Sequence, residues 1–279
     1  MGKVTQSTVA VLVRAYQSGK LKMPASAAAR YFADECGFGT VIGSNWHLDA
    51  KERQAIRAYL VAHHGIENPE TVDFNFAGKT RIEAAAVSPE EKFAGRGPHA
   101  GYVLARAPSG TAKFNSVSLA MLGKSCVYVD ARDVTSIGHD CIIVVENFEA
   151  VTQFEGLPLM DFPYRDPLLL FRGDATFPAN GALTLARSAT VPVLAWADFD
   201  PQGLNIAAAV PQVQGAIFPV EFTTLSREDL YDKQRALVKP VSSYPPAWAS
   251  PITAMFDAKR GLTQERMIAL KVSCRLYQR

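Results

Sequence analysis

Cysteine is scarce in this chain and unpatterned. Its four residues, Cys36, Cys126, Cys141 and Cys274, include no pair at the CxxC spacing of a zinc knuckle or redox couple. Reduced thiols in a cytoplasm are the simplest reading. The five histidines show no HExxH arrangement, so no zinc site is expected. Charge of one sign is lacking too: 29 Lys+Arg against 27 Asp+Glu leave +2. A total that small does not identify a nucleic-acid binder, which needs a local basic surface. No apolar run approaches the ~20 residues of a membrane span, and the N-terminus has no charged-then-apolar signal pattern. Internal repeats and low-complexity tracts are absent. No GxSxG surrounds Ser125 or Ser188, which leaves serine catalysis without support. Gly123-Lys124-Ser125 imitates the end of a P-loop, but Ser118 stands where that motif needs its first glycine. ATP binding there is rejected.

What is present is a hydrophobic content of 48% over 279 residues, ample for a sizeable core. Three stretches differ in pattern. Residues 1–66 read as helices: STVAVLVRAY, then AAARYFADEC after Pro24-Ala25-Ser26 and stopped by Gly37, then AKERQAIRAYLVAHH capped by Asp49 and ended by Gly65. With the turn-rich GTVIGSNWHL between the last two, these are the parts of a winged-helix-like DNA-binding region. Up to Gly65 the eight cations Lys3, Arg14, Lys20, Lys22, Arg30, Lys51, Arg53 and Arg57 face four acids, Asp34, Glu35, Asp49 and Glu52. A small helical bundle with a solvated basic face stands beside that reading as an equal. Residues 67–136 read as a β-rich connector, with extended pieces in GYVLARA, TAKFNSVSL and CVYVDA and a turn at Pro108-Ser109-Gly110. Its glycine-rich stretch EKFAGRGPHAG carries Lys92, Arg96 and His99, a set that suits an ordinary solvated loop better than a phosphate contact.

Residues 137–279 read as α/β. The runs CIIVV, LLLF, VPVLAWA and the weaker AIFPV are apolar enough for strands covered on both faces, as in a parallel sheet. FEAVTQF, ANGALTLARSA and LNIAAAV supply crossover helices, and a helical tail containing GLTQERMIALKV follows. Ligands of such sheets collect at the carboxyl ends of the strands. Glu146 stands at one such end, Asp198 and Asp200 at another, and Arg172-Gly173 closes the strand between them. Asp198 and Asp200 are two residues apart, so both side chains can enter one mouth with Phe199 turned away. Three converging carboxylates repel one another. A hard cation, Mg2+ or Mn2+, removes that repulsion and can neutralise a phosphate and activate water. The plainer alternative is that Asp198 and Asp200 only cap the helix beginning near Gly203.

At these residues the chain resembles a known superfamily. The order apolar strand–Glu146, strand–Gly173, strand–Asp198-x-Asp200-x-x-Gly203 is similar to the Toprim fold of topoisomerases, primases and related nucleases. VVENFEAV, FRGD and LAWADFDPQGLNIA most resemble the topoisomerase VI A subunits and the JetD nuclease subunits of Wadjet plasmid-defence systems, which work with a condensin-like SMC complex. GLTQERM is similar to a JetD helix bearing a Gln-Glu pair. The resemblance covers about residues 139–270. It implies a Mg2+- or Mn2+-dependent DNA endonuclease with Glu146, Asp198 and Asp200 as catalytic, metal-holding carboxylates and Glu265 as a supporting acid. It also implies double-stranded DNA and an SMC/condensin-like complex as partners, leaves a homodimer open, and places the protein in the cytoplasm at the nucleoid. A topoisomerase VI A-like activity would need a nucleophilic tyrosine. Tyr16, Tyr31 and Tyr59 are available, but each reads better as part of an amphipathic helix face. A primase-like transferase and a non-catalytic DNA-binding adaptor are the remaining alternatives.

Overall fold

A computed structural model describes residues 5–74, 79–86, 97, 99–222 and 227–278, and the chain divides into two compact units, 1–98 and 99–279. In the first unit α1 (Gln6–Ser18) is followed by β1 (Lys22–Pro24), α2 (Ala27–Cys36), β2 (Thr40–Ile42), β3 (Asn45–His47), α3 (Ala50–His64) and the short α4 (Arg81–Ala85). The caps explain the boundaries. Ser26 accepts from the backbone of Ala29, and Asp49 with Glu52 forms a reciprocal capping box that satisfies two orphan amides of α3. Gly37 and Gly65 end α2 and α3 in the left-handed region, at φ 68° and 59°, where a Cβ is penalised. The three strands pair antiparallel in the order β1-β3-β2. Trp46, 1% exposed, donates its indole N–H to Phe38 O at 2.7 Å and packs with Leu12, Phe32, Ile56 and Leu60 in the unit's own core. A single helix, α2, lies between β1 and the β2–β3 hairpin.

The second unit holds β4 (Tyr102–Arg106), β5 (Thr111–Phe114), β6 (Val117–Ala120), β7 (Val127–Asp130), β8 (Cys141–Val145), α5 (Phe148–Thr152), β9 (Leu159–Met160), β10 (Pro167–Phe171), α6 (Asn180–Ser188), β11 (Val193–Trp196), α7 (Pro201–Ala208), β12 (Val213–Pro219), α8 (Glu228–Lys233), α9 (Ala249–Ala258), α10 (Gln264–Ala269) and β13 (Cys274–Gln278). The fold is mixed α/β, built on an eight-stranded mixed sheet in the order β7-β4-β10-β8-β11-β12-β13-β9. Its centre, β10-β8-β11-β12, is parallel throughout. Every residue of β8, β10 and β11 is buried, which is why these runs are apolar without alternation. Numbered among themselves, the four central strands run 2-1-3-4, so the chain reverses direction across the sheet between β8 and β11. That reversal opens a crevice at the carboxyl ends of those two strands.

Residues 67–136 are shared among several structures. Strands β4 and β7 extend the large sheet antiparallel beyond β10, because Leu169 and Leu170 pair with Arg106 and Ala105. TAKFNSVSL is not one extended piece but the β5–β6 hairpin, turned at Asn115-Ser116 with φ of 50° and 65°. Most of the loop EKFAGRGPHAG, with Lys92 and Arg96, lies outside the described residues. The C-terminal tail is helical only in α9 and α10. Its last piece is β13, which pairs antiparallel with β12, and the alternation of CRLYQ suits an outer strand. Arg106, 2% exposed, forks onto Glu155 and donates to Val151 O at 3.1 Å, tying β4 to the end of α5. No helix among the described residues is long and apolar enough to cross a membrane.

Candidate active site

The ends of β10, β8 and β11 are laced by backbone bonds. Arg172 N donates to Val145 O at 2.7 Å, and Glu146 N donates to Trp196 O at 3.1 Å. The lacing sets Glu146 and Asp198 side by side across the crevice, and the Glu146 carboxylate accepts the backbone N–H of Asp198 at 3.1 Å. Asp198 Oδ1 accepts from Gln264 N at 2.8 Å and Asn147 Nδ2 at 3.1 Å. Glu146 Oε1 and Asp198 Oδ2 accept no hydrogen bond among the described residues. Two carboxylates on neighbouring strand ends therefore each keep one unengaged oxygen.

Asp200 is differently placed. It is 3% exposed, its Oδ1 caps α7 by accepting from Gly203 N at 2.7 Å, and its Oδ2 accepts from Gln234 Nε2 at 2.7 Å. The capping role weighed for both aspartates thus holds for Asp200, while Asp198 faces Glu146. Phe199 between them is fully buried against Phe218 and Phe222, and its backbone bridges Leu262. Gly203 has no alternative: a Cβ there would stand 1.9 Å from Asp198 O, so only glycine lets α7 start against the strand end.

Gln264 carries no signal in the apolar pattern of its segment, yet it is fully buried at the hub of the site. Its Oε1 accepts Asn147 N at 2.9 Å, its Nε2 donates to Trp196 O at 3.1 Å, and its own N–H holds Asp198. One side chain therefore joins the β8 end, the β11 end and the start of α10. Thr263 caps that helix through the backbone of Arg266.

Burial makes the carboxylates reluctant to ionise. The Asp198 carboxyl is pushed from its ordinary 3.8 up to about 7, by desolvation first and then by the charges of Glu146, Asp200 and Glu265. Glu146 is raised chiefly by burial, with Asp200 and Glu265 adding to the rise, while the Asp198 N–H and the Arg172 guanidinium oppose it. Asp200 and Glu265 are therefore both close enough to act on the Glu146–Asp198 pair. Among the described residues, however, no group of three or more His, Cys, Asp or Glu side chains is gathered closely enough to hold an ion unaided. The donor set fits a hydrated hard cation held by one or two carboxylates, the usual magnesium arrangement, and does not fit a closed three-carboxylate cage. Tyr16 bonds Glu70, and Tyr59 packs among Phe32, Phe38 and His63 in the first unit.

No curated protein shows significant sequence similarity to the chain. The family model described as "Domain of unknown function (DUF7281)" matches residues 101–276, from the first strand of the large sheet into its last. The chain belongs to the DUF7281 family.

Proposed function

We propose that the second unit is a Toprim-type catalytic domain and that the protein is a metal-dependent DNA endonuclease. The observation that carries this reading is the pair Glu146–Asp198: two desolvated carboxylates with spare oxygens at the carboxyl ends of adjacent parallel strands, where the strand order reverses. On this reading Glu146 and Asp198 hold Mg2+ or Mn2+, and Asp200 lies behind them as helix cap and source of negative potential. When bound, the ion would neutralise a scissile phosphate and lower the pKa of an attacking water. Gln264 and Asn147 keep the Asp198 carboxylate from rotating out of the crevice. Arg172 supplies the positive charge beside Glu146 that an incoming phosphate requires.

The first unit, with its three-stranded sheet and basic surplus, serves in this proposal as a winged-helix-like DNA-binding part. The JetD resemblance extends the reading to a cytoplasmic, nucleoid-associated nuclease subunit acting with an SMC-type complex on double-stranded DNA. Incubation of the purified full-length chain with supercoiled plasmid and Mg2+ or Mn2+ tests the core of it. The expected result is metal-dependent nicking that falls at least ~100-fold in Glu146→Gln and Asp198→Asn. Nicking shared equally by wild type and variants would remove the assignment, and phosphotyrosyl-linked DNA would replace it with the topoisomerase VI A-like alternative.

A further inference from the structure

Beside the carboxylates a cleft of about 390 Å³ opens between α6 and α7, with Leu237 on its far side. Its volume is within the range of small-molecule sites, roughly 300–1,000 Å³. One part is polar: Arg172, Gln202 and Asn205 line it. The rest is apolar, walled by Leu183, Ile206 and Leu237. The state of the polar groups is informative. Asn205 is fixed, donating to Leu237 O at 2.9 Å and accepting from Tyr244 OH at 3.1 Å. The Arg172 guanidinium and the Gln202 side-chain amide, by contrast, engage no hydrogen bond or ion pair among the described residues. A half-buried guanidinium without a carboxylate partner, beside Glu146 yet not paired with it, is an anion-binding group held in reserve.

We infer that this cleft is a nucleotide subsite: Arg172 takes a phosphate, and the sugar and base of one unpaired nucleotide occupy the space between Leu183, Ile206 and Leu237. The ligand class follows from the two-part lining. An inorganic anion would leave the apolar wall unused, and an apolar ligand would leave Arg172 unpaired. A base still paired in a duplex could not enter a cleft of this size, so the strand delivered here is single-stranded, frayed or flipped. The backbone of Arg172 is bonded to the residue before Glu146, so the bound phosphate would neighbour the one presented to the carboxylates. The subsite's role in cleavage rests on the endonuclease reading, whereas its existence does not.

The test is binding of thymidine 5′-monophosphate to the full-length protein in EDTA, followed by calorimetry and ligand-observed NMR. Thymidine, inorganic phosphate, a single-stranded tetrathymidylate and a blunt-ended duplex without unpaired nucleotides serve as comparisons. The expected result is that Arg172→Gln weakens the monophosphate about tenfold and leaves thymidine unchanged, the loss of one charge-assisted contact. Ile206→Trp, which fills the apolar part, should weaken monophosphate and nucleoside alike, and tetrathymidylate should displace the monophosphate where the blunt duplex does not. Equal affinity of wild type and Arg172→Gln for the monophosphate would overturn the inference. So would inorganic phosphate binding as tightly as the nucleotide, or displacement by the blunt duplex. Setting this binding beside the plasmid-nicking assay separates the two proposals. Arg172-dependent binding without any nicking activity in the wild type would sink the nuclease and keep the subsite, and nicking without such binding would do the reverse.

Discussion

Replacing Asp198 by asparagine should make the metal-free protein more stable at pH 8, although it removes a group from the centre of the site. Asparagine keeps Oδ1 for the Gln264 and Asn147 bonds and removes the charge that Glu146 opposes. The energy follows from the carboxyl's titration. A shift from 3.8 to about 7 means the fold binds a proton that the unfolded chain has already lost, so stability is greatest below pH 4 and falls as pH rises to about 7. That difference corresponds to about 4 kcal/mol at most, and even half of it would raise the melting temperature by roughly 4–8 °C for a domain of this size. Calorimetry of wild type and Asp198→Asn in EDTA from pH 4 to pH 9 reads the effect directly. The wild-type curve should decline across this window and the variant's should run flatter, meeting it at the acid end. Added Mg2+ should recover wild-type stability at pH 8 and leave the variant unmoved. Parallel curves, or a variant less stable at pH 8, would refute the claim that Asp198 is held ionised against its surroundings.

Gln264→Leu should cost about 2 kcal/mol by denaturant titration, because it strands the Asn147 N–H and leaves the Trp196 carbonyl with only the Glu146 N–H. The Arg106–Glu155 pair should respond asymmetrically. Arg106→Met lets the half-exposed Glu155 return to water and should cost less than ~1.5 kcal/mol. Glu155→Leu instead leaves a guanidinium 2% exposed with no counter-charge and only the Val151 carbonyl, and should cost about 3 kcal/mol or more. Gly203→Ala should prevent the native seating of α7, seen as loss of the cooperative thermal transition, since its Cβ has no room against Asp198 O. The reverse change at a surface position of the same helix, Ala208→Gly, should cost only about 1 kcal/mol.

Much of the second unit was legible because burial on both faces leaves an unmistakable trace. CIIVV, LLLF and VPVLAWA could be read as sheet-centre strands, and their carboxyl ends identified Glu146 and Asp198 as candidates. The first unit's helices were legible through their caps, Ser26 and Asp49 at the starts and Gly37 and Gly65 at the ends. The Asn115-Ser116 hairpin was missed because neither residue is glycine, although asparagine tolerates the left-handed region almost as well. The strand after α10 was missed because five residues at a chain end carry too short an alternation to outweigh the helical pattern before them.

By itself the amino-acid order determined which segments must be buried, where helices begin and end, and which acids stand at strand tips, since periodicity and capping act over a few residues. Only the tertiary structure decided what those acids do. It paired Asp198 with Glu146 through a backbone N–H and turned Asp200 inward as a cap. It also brought Gln264, more than sixty residues downstream of Asp198, to the hub of the site. Strand order and the docking of α10 arise from long-range packing, which no local pattern encodes, and they determine which carboxylates come to lie side by side.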